Sequence, residues 1–323
     1  MEYRTLGKTG VQVSSLCFGT MSFGGDADEA TSAAMFQRCR DAGINFFDSA
    51  NVYNNGRSEE ILGKLIKGCR DELVITSKVN GRMGADINAR GLSRRHIMLA
   101  VEDSLRRLNT DRIDLYFAHA WDSQAAMEET LRAFDDLVHQ GKILYPAVSN
   151  WAAWQIALAL GTSAREHLAR FECIQPMYNL VKRQAEVEIL PLAQSEQIGV
   201  IPYSPLGGGL LTGKYGSQRK PETGRIVQNS MYSKRYSLDE YYTVTDHFLE
   251  HAVQKGVIPA ALAVAWVMSH PNVTAPIIGA RNGDQLEGSL AALDIPMTPE
   301  WRAEISAQTI SPPPATDRLE EII

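Results

Sequence analysis

Seven apolar runs of strand length in this 323-residue chain each end on a polar residue or on a glycine. The residues at these ends are Asp48, Lys78, His119, Ser149 with Asn150, Gln175, Tyr203 and Gly279. Successive ends lie 30, 41, 30, 26, 28 and 76 residues apart, and most of these intervals fit one strand, one helix and two short loops. When such units close into a barrel, every strand delivers its C-terminal end to the same rim. The pattern therefore predicts one site built from residues far apart in the sequence.

Eight strands can be assigned, with helices between them. The predicted strands are Ser15–Phe18, Phe46–Asp48, Leu73–Lys78, Ile113–His119, Ile143–Ser149, Glu172–Gln175, Val200–Tyr203 and Thr274–Ile278. Apolar residues recur every three or four positions in the predicted helices Glu29–Ala42, Ser58–Lys67, Arg94–Leu108, Glu128–Gln140, Ala153–Leu160 and Glu186–Ser195. We therefore expect an α/β fold, a (β/α)8 TIM barrel, with residues 1–323 in a single domain.

Segments at the two ends of the chain stand outside this alternation. Tyr3–Leu6 and Val11–Val13 flank the turn residues Gly7 to Gly10, and they predict an N-terminal β-hairpin that plugs the bottom of the barrel. Residues 311–323 include three consecutive prolines and predict a Pro-rich C-terminal tail.

Two local features need their own interpretation. The long interval after Tyr203 contains a polar loop over Ser217–Lys234, which we expect to cover a cofactor, and helices around Tyr241–Lys255 and Pro259–Ser269. Pro146 interrupts a predicted strand, and because proline lacks an N–H donor we expect a bulge there. Ser93 and Gly141 are the expected N-terminal cap and C-terminal stop of two helices.

Composition and charge argue against several classes of protein. A net charge of −6 without a cluster of Lys and Arg gives no footprint for nucleic acid or an anionic membrane. No apolar segment approaches the roughly 18 residues of a membrane span, and we expect a cytoplasmic protein. The four cysteines lack CxxC spacing, and His247 and His251 match a zinc-peptidase spacing without an evident third ligand. We therefore expect no metal.

Three of the predicted rim residues suit acid–base chemistry together with Tyr53, which lies five residues beyond Asp48 on the loop that leaves the same strand and can reach back over the rim. A tyrosine has an ordinary pKa near 10, so Tyr53 needs a nearby cation that favours the phenolate, and Lys78 can supply that charge. A carboxylate on a neighbouring strand, Asp48, keeps the ammonium charged. His119 could hydrogen-bond a substrate oxygen or relay a proton. Together these four residues are the predicted catalytic set, suited to protonating a carbonyl oxygen.

The residues above lie in segments where the chain resembles the aldo-keto reductases, over roughly Tyr3 to Thr309. The segments that carry the resemblance are Gly19-Thr20-Met21, Asn45 to Tyr53, Ser58-Glu59-Glu60, Thr76-Ser77-Lys78-Val79, Asp114 to His119, Val148-Ser149-Asn150, Tyr203-Ser204-Pro205-Leu206 and Ile278-Gly279-Ala280-Arg281. The resemblance implies NADPH-dependent reduction of a small aldehyde or ketone substrate. In it Tyr53 is the general acid, Lys78 and Asp48 tune the phenol, and His119 orients the carbonyl.

The resemblance also implies where NADPH or NADP+ lies. Its nicotinamide would be held at Ser149, Asn150 and Gln175, with the ring of Tyr203 stacked on one face. Arg281 would face the adenosine 2′-phosphate, which favours NADPH over NADH. The complete set of expected cofactor-binding residues is Gly19, Thr20, Met21, Asp48, Ser149, Asn150, Gln175, Tyr203, Ser204, Pro205, Leu206, Gly208, Lys214, Gly279, Ala280, Arg281, Gln285 and Ser289. Gly288 and Ser289 replace an acidic residue and Asn found in many relatives, so we expect weaker adenine contacts.

Two other functions stay open. One is a regulatory binding protein that senses the redox state of a nicotinamide on the same barrel, as the potassium-channel β subunits that resemble this family do. The other is an aldolase in which Lys78 forms a Schiff base with the substrate. The complete acid–base set favours the reductase, and the sequence pattern predicts no particular oligomeric state.

Overall fold

Ten strands are formed by the described residues, 1–318 and 320, of this computed structural model. The first two pair as an antiparallel hairpin, β1 (Tyr3–Thr5) and β2 (Gln12–Ser14). The other eight are parallel neighbours in one sheet: β3 (Cys17–Gly19), β4 (Phe46–Asp48), β5 (Val74–Val79), β6 (Ile113–Ala118), β7 (Ile143–Ser149), β8 (Cys173–Gln175), β9 (Gly199–Val200) and β10 (Ile277–Ile278). In that sheet β10 pairs with β3, so the chain's last strand lies beside the first parallel one.

Backbone hydrogen bonds close this sheet into a barrel. The amides of Thr274 and Ile277 donate to the carbonyls of Val200 and Pro202 at 2.8 and 2.9 Å, which joins the β9 edge to the segment that forms β10. The predicted (β/α)8 barrel with an N-terminal hairpin is therefore confirmed.

Twelve α-helices are formed over the described residues. They are α1 (Glu29–Asp41), α2 (Arg57–Leu65), α3 (Arg94–Leu108), α4 (Met127–His139), α5 (Ala153–Glu166), α6 (Ile189–Glu196), α7 (Arg225–Gln228), α8 (Ser230–Arg235), α9 (Asp239–Gln254), α10 (Pro259–Met268), α11 (Gly283–Leu290) and α12 (Pro299–Ser306). The expected caps are present, since Ser93 accepts from the His96 amide at 3.3 Å and Gly141 adopts a φ of 70° after α4. No single helix of the described residues is long and apolar enough to cross a membrane; α9 and α10 reach that length and composition only as a pair, with a 102° bend between them.

Alternation along the strands separates two cores. Residues of the barrel interior pack together, among them Cys17, Phe46, Val74, Leu115, Phe117, Ala147, Cys173, Ile201 and Ile277. Their strand neighbours, such as Phe18, Phe47 and Tyr116, pack instead with the surrounding helices. Because side chains two positions apart share a face of a strand, the residue that follows each interior residue by two also points inward. Six of the predicted strand-end residues each follow an interior residue by two positions, which brings them to the C-terminal rim. They are Asp48, His119, Ser149, Gln175, Tyr203 and Gly279.

The hairpin lies across the opposite end of the barrel. Leu6 and Val13 are fully buried members of the interior cluster. Leu6 packs so closely on β9 that a Cβ added to Gly199 would lie 2.4 Å from Leu6 Cδ1, so this position of β9 has room only for glycine. The predicted plug at the bottom of the barrel is therefore confirmed.

Several sequence predictions were wrong in detail. Pro146 does not occupy a bulge against β6, because the register between β6 and β7 is unbroken and pairs Tyr116 with Pro146. Its carbonyl still accepts from the Glu172 amide at 2.9 Å. The polar loop over Ser217–Lys234 contains the short helix α7 and most of α8, and α11 and α12 were not predicted. Of the C-terminal tail, residue 319 and residues 321–323 lie outside the described residues.

The plug gives a stability prediction. Leu6→Ala should lower the free energy of unfolding by about 2–5 kcal/mol, because it removes a fully buried side chain and leaves a cavity against β9. Urea unfolding followed by circular dichroism measures this change. Leu158→Ala on α5, where the side chain is 52% exposed, makes the same chemical change and should stay within about 0.5 kcal/mol of the parent protein. Equal losses in the two variants would contradict the assignment of Leu6 to the interior.

Candidate active site

A buried ion pair lies at the rim between β4 and β5. Lys78 Nζ donates to Asp48 Oδ2 at 2.6 Å and to the Ser49 carbonyl at 2.6 Å. Lys78 is fully buried, and Asp48 is 2% exposed. The ammonium also lies 3.3 Å from the Tyr53 hydroxyl, so the three predicted catalytic residues of this region form one hydrogen-bonded group.

Both oxygens of the Asp48 carboxylate are occupied. While Oδ2 accepts from Lys78, Oδ1 accepts from Thr76 Oγ1 at 2.7 Å and from Gln175 Nε2 at 2.9 Å. Thr76 was not predicted from the sequence to take part in the site. The signal was available, because Thr76 precedes Lys78 by two positions on the same strand and so faces the same side.

Tyr53 is held by the turn that follows it. A short 3-10 helix, Tyr53–Gly56, begins with the tyrosine, and Asn54 and Asn55 adopt φ values of 48° and 53°, a region that asparagine enters more readily than most residues. The side-chain Nδ2 of Asn54 donates to the backbone carbonyls of Met21 at 3.0 Å and Phe23 at 2.8 Å. These contacts tie the β4–α2 loop to the β3–α1 loop and fix the direction in which the phenol extends.

The pKa of Tyr53 is raised from its ordinary value, because burial outweighs the opposing effect of the Lys78 cation. The expectation that Lys78 makes this phenol acidic is therefore wrong for the net shift, although the cation does act in the expected direction. Burial alone would lower the pKa of Lys78, but Asp48 and Tyr53 more than compensate, and the net shift is upward. At neutral pH Tyr53 is therefore a neutral phenol and Lys78 an ammonium.

His119 follows β6 and lies beside the phenol. Its ring meets the Tyr53 ring edge-on, with centroids 6.1 Å apart. Burial, followed by repulsion from Lys78, lowers the pKa of His119 to about 3. The imidazole is therefore neutral, with one nitrogen that donates and one that accepts a hydrogen bond.

The four residues predicted to hold a nicotinamide form one hydrogen-bonded chain. Ser149 Oγ donates to the Gln175 carbonyl at 2.9 Å, and Asn150 Nδ2 donates to Ser149 Oγ at 3.0 Å and to the His119 carbonyl at 2.9 Å. The Tyr203 hydroxyl in turn donates to Asn150 Oδ1 at 2.7 Å. Burial raises the pKa of Tyr203, so this hydroxyl keeps its proton. The structure thus brings together the ends of β6, β7, β8 and the segment after β9.

The segment predicted to face a pyrophosphate has an unusual backbone. Ser204 adopts a φ of 58°, and three consecutive glycines, Gly207 to Gly209, also have positive φ values. A Cβ added to Gly208 would lie 2.8 Å from the Tyr232 ring, so the loop and α8 approach each other as only glycine permits. Pro205 is buried, Leu206 is half-buried, and Lys214 is exposed at the end of this segment.

The residues predicted to face adenosine lie in the segment after β10 and in α11. The Ala280 carbonyl accepts from Ser22 Oγ at 2.6 Å, and the Arg281 amide donates to Gln285 Oε1 at 3.1 Å. Arg281 forms an ion pair with Asp26, a residue that sequence analysis did not single out. Ser289 is buried, and its hydroxyl donates to the Gln285 carbonyl at 3.3 Å, so this side chain is engaged within α11.

The remaining predicted cofactor residues border the ion pair. Gly19 ends β3 opposite Asp48, where a Cβ would lie 2.8 Å from Ile277 Cγ2, and Gly279 lies near the Gly19 carbonyl. The Thr20 amide and hydroxyl both donate to the Asp48 carbonyl, at 2.8 and 3.1 Å. Met21 is 40% exposed at the rim. No group of three or more His, Cys, Asp or Glu in the described part of the chain is arranged to hold a metal ion.

The parallel barrel, together with a lysine, a carboxylate and a tyrosine that form one buried hydrogen-bonded group at its rim, defines the class of protein to which this chain belongs. The model of the Aldo/keto reductase family matches residues 15–309, and this chain belongs to that family.

Relatives across this family carry different names. A probable voltage-gated potassium channel subunit beta of Oryza sativa subsp. japonica is 37% identical, over 98% of this chain and 99% of its own. An uncharacterized oxidoreductase of Bacillus subtilis, YrpG, is 38% identical over 93% of both chains. The versiconal hemiacetal acetate reductase of Aspergillus parasiticus is 31% identical over 93% of this chain and 94% of its own. The chain is thus similar to named oxidoreductases and to a named channel subunit along almost its whole length.

The lowered pKa of His119 predicts a pH dependence of stability. Between pH 6.5, the ordinary imidazole value, and about 3, the unfolded chain binds a proton at His119 that the folded protein does not. Stability from this residue is therefore complete above pH 6.5 and is lost as the pH falls towards 3. The slope of the unfolding free energy against pH reports how many more protons the unfolded chain binds than the folded protein does. In this window His119→Asn should lower that number by up to about one, as measured by urea unfolding.

A second buried histidine supplies the matched control. Burial lowers the pKa of His270 to about 4, and its ring packs edge-on against Tyr178, whose own hydroxyl bonds to Glu186 and Arg302 rather than to the rim residues. His270→Asn should reduce the same slope without affecting the rim. A His119→Asn protein with the parental slope would contradict the neutral, buried imidazole.

Proposed function

We propose that this protein is an NADPH-dependent carbonyl reductase that converts an aldehyde or ketone to an alcohol, with Tyr53 as the general acid. The observation that carries the proposal is the buried group in which Lys78 Nζ contacts Asp48 Oδ2 and the Tyr53 hydroxyl together. We also propose that the chain acts as a single domain in the cytoplasm on a small molecule, in keeping with its net charge of −6 and the absence of a basic cluster.

The residues of the rim fit a nicotinamide dinucleotide. Gln175 has an amide oxygen and a second amide hydrogen besides the one that it donates to Asp48, which match a carboxamide, and the half-buried Tyr203 offers a ring face. Gly208 and the neighbouring positive-φ glycines leave backbone close to where a pyrophosphate would lie. When bound there, the dinucleotide would supply the hydride.

Each catalytic residue has a separate task in this proposal. The neutral imidazole of His119 donates a hydrogen bond to the carbonyl oxygen and so orients the substrate. Tyr53 donates its proton to the same oxygen as negative charge develops on it. Lys78 then stabilises the phenolate that remains, and Asp48 keeps the ammonium charged and directed at the phenol.

Aromatic side chains that follow two of the rim residues along the chain suit an organic substrate. The Trp121 ring lies 4.8 Å from that of Trp151 and 6.1 Å from that of Trp154. Trp121 follows His119 by two residues, and Trp151 and Trp154 follow Asn150 by one and by four. Phe23, in contrast, is fully buried against Phe18 and belongs to the core. We propose that Trp121 borders the space in which the carbonyl compound lies.

A redox-sensing regulator is the second candidate. It is favoured by the relatives named as probable potassium-channel β subunits, at 37% identity over nearly the whole chain. Such a protein binds the nicotinamide dinucleotide on the same barrel, and its output is a change in a partner rather than a product. Turnover of NADPH with a carbonyl compound separates the two candidates.

Tyr53→Phe should reduce carbonyl turnover by at least about a hundredfold, because it removes the only proton that this mechanism gives to the substrate oxygen. Binding of NADPH, followed by fluorescence titration, should remain within about twofold. Reduction is measured as loss of NADPH absorbance over a panel of aldehydes, ketones, quinones and sugars.

Tyr116→Phe is the matched control for this change. Tyr116 is fully buried on the helix-facing side of β6, so the same loss of a hydroxyl there should leave turnover near the parental rate. A Tyr53→Phe protein that reduced carbonyls as fast as the Tyr116→Phe protein would show that the phenol has no acid role. A parent protein that binds NADPH but turns over no member of the panel would favour the regulator.

The raised pKa of Tyr53 predicts the alkaline limit of the reaction. Reduction needs the protonated phenol, and burial moves its loss of a proton above the ordinary value of 10. Steady-state kcat for reduction should therefore be constant from about pH 6 to pH 9, and it should fall only at higher pH, where Tyr53 loses its proton. A fall centred near neutral pH would mean that another group supplies the proton.

A further inference from the structure

The guanidinium predicted to face the 2′-phosphate already has an anionic partner. Arg281 Nε lies 2.9 Å from Asp26 Oδ2, and the two side chains are 34% and 53% exposed. Asp26 belongs to the loop between β3 and α1, which also reaches the segment after β10 through the bond from Ser22 Oγ to the Ala280 carbonyl. The ion pair therefore connects two loops that the Ser22–Ala280 hydrogen bond already holds together, one residue before Arg281.

The charges around Arg281 do not favour a dianion. Arg38 on α1 is paired with Glu287 on α11, so its charge is compensated. Asp284 lies in the first turn of α11, three residues after Arg281. These five residues contribute three carboxylates, those of Asp26, Asp284 and Glu287, and two guanidiniums, those of Arg38 and Arg281. Sites for phosphate groups normally carry an excess of positive charge, because each added carboxylate repels the ligand.

We propose that Asp26 sets the preference between NADPH and NADH, by competing with the 2′-phosphate for Arg281. This inference rests on the proposed function and on the place facing the adenosine 2′-phosphate that the family resemblance implies for Arg281. The 2′-phosphate has to displace the Asp26 carboxylate and then remain beside it, whereas the 2′-hydroxyl of NADH leaves the ion pair intact. The protein therefore discriminates between the two dinucleotides less strongly than Arg281 alone would allow, and Asp26 is a specificity-determining residue.

Removing the charge of Asp26 tests this directly. Asp26→Asn keeps the shape of the side chain and frees Arg281. Because the pair is partly exposed and screened, the expected gain is moderate: affinity for NADP+ should rise about three- to tenfold, while affinity for NAD+ stays within about twofold. Dissociation constants are measured by quenching of tryptophan fluorescence, and the gain should shrink in about 0.5 M salt.

Glu287→Gln is the matched control. It removes one negative charge from the same end of the protein, but that charge is paired with Arg38 rather than with Arg281. It should change the ratio of NADP+ to NAD+ affinity by much less than Asp26→Asn does. Equal effects of the two variants would mean that the total negative charge of this region, and not competition for Arg281, sets the ratio of NADP+ to NAD+ affinity. That result would overturn the proposal.

Arg281→Gln separates failure of this inference from failure of the proposed function. Alone, it should weaken NADP+ but not NAD+, and it should abolish the gain from Asp26→Asn when the two changes are combined. If Arg281→Gln weakens NADP+ while Asp26→Asn gives no gain or a loss, the 2′-phosphate site stands and the role of Asp26 is wrong. If the parent protein binds neither dinucleotide, the proposed function itself fails.

Discussion

The ion pair between Lys78 and Asp48 is the interaction on which the rim is built. Moving two charges out of water costs several kcal/mol per ion, and attraction between them offsets that cost only when their remaining hydrogen-bonding capacity is used. Here Lys78 meets a carboxylate, a carbonyl and a phenol, and Asp48 receives three donors. An apolar pair of similar volume would cost less to bury, so stability alone does not explain these charges. Their use is to hold a phenol in one place beside a cation.

The same carboxylate couples parts of the site that the sequence presents as separate. Gln175 donates its amide hydrogen to Asp48, while its backbone carbonyl accepts from Ser149. A change at Gln175 would therefore act on the phenol through Asp48 as well as on any group held by Ser149 and Asn150. Effects of substitutions at these positions should not be additive, since hydrogen-bonded neighbours share their interaction energy.

Much of the fold followed from the sequence because its causes are local. Their positions at the ends of apolar runs marked Asp48, Ser149 and Gln175, and the repeated βα interval placed them around one barrel, where the two-residue period of the strands turns them inward. The short helices in the polar loop could not be predicted from the sequence. The Tyr232 ring holds α8 against Gly208, and no local sequence pattern encodes that contact. Pro146 was misjudged for a similar reason, since its strand keeps register through its neighbours.

The electrostatics of the site were the least accessible from sequence. The adjacency of Lys78 and Tyr53 was predicted, and so was the direction in which the cation acts, but the balance with burial is a property of the assembled barrel. The pairing of Arg281 with Asp26 likewise joins opposite ends of the chain across β3 and β10. Charge patterns in sequence identify the groups, whereas their net effect depends on how much solvent each one keeps.

Burial and the ammonium act on different states of the phenol, which is why a raised pKa suits a general acid. In the resting site, burial keeps the proton on Tyr53, so nearly every molecule is ready to donate it at neutral pH. An alkoxide formed from a carbonyl is far more basic than a phenolate, so the proton still moves downhill even when the phenol pKa exceeds 10. In the proposed mechanism Tyr53 carries a charge only after the transfer, and Lys78, at 3.3 Å from its hydroxyl, would then stabilise that charge. A site that lowered the phenol pKa to neutrality would gain driving force for the transfer, but it would lose part of its acid form at the working pH.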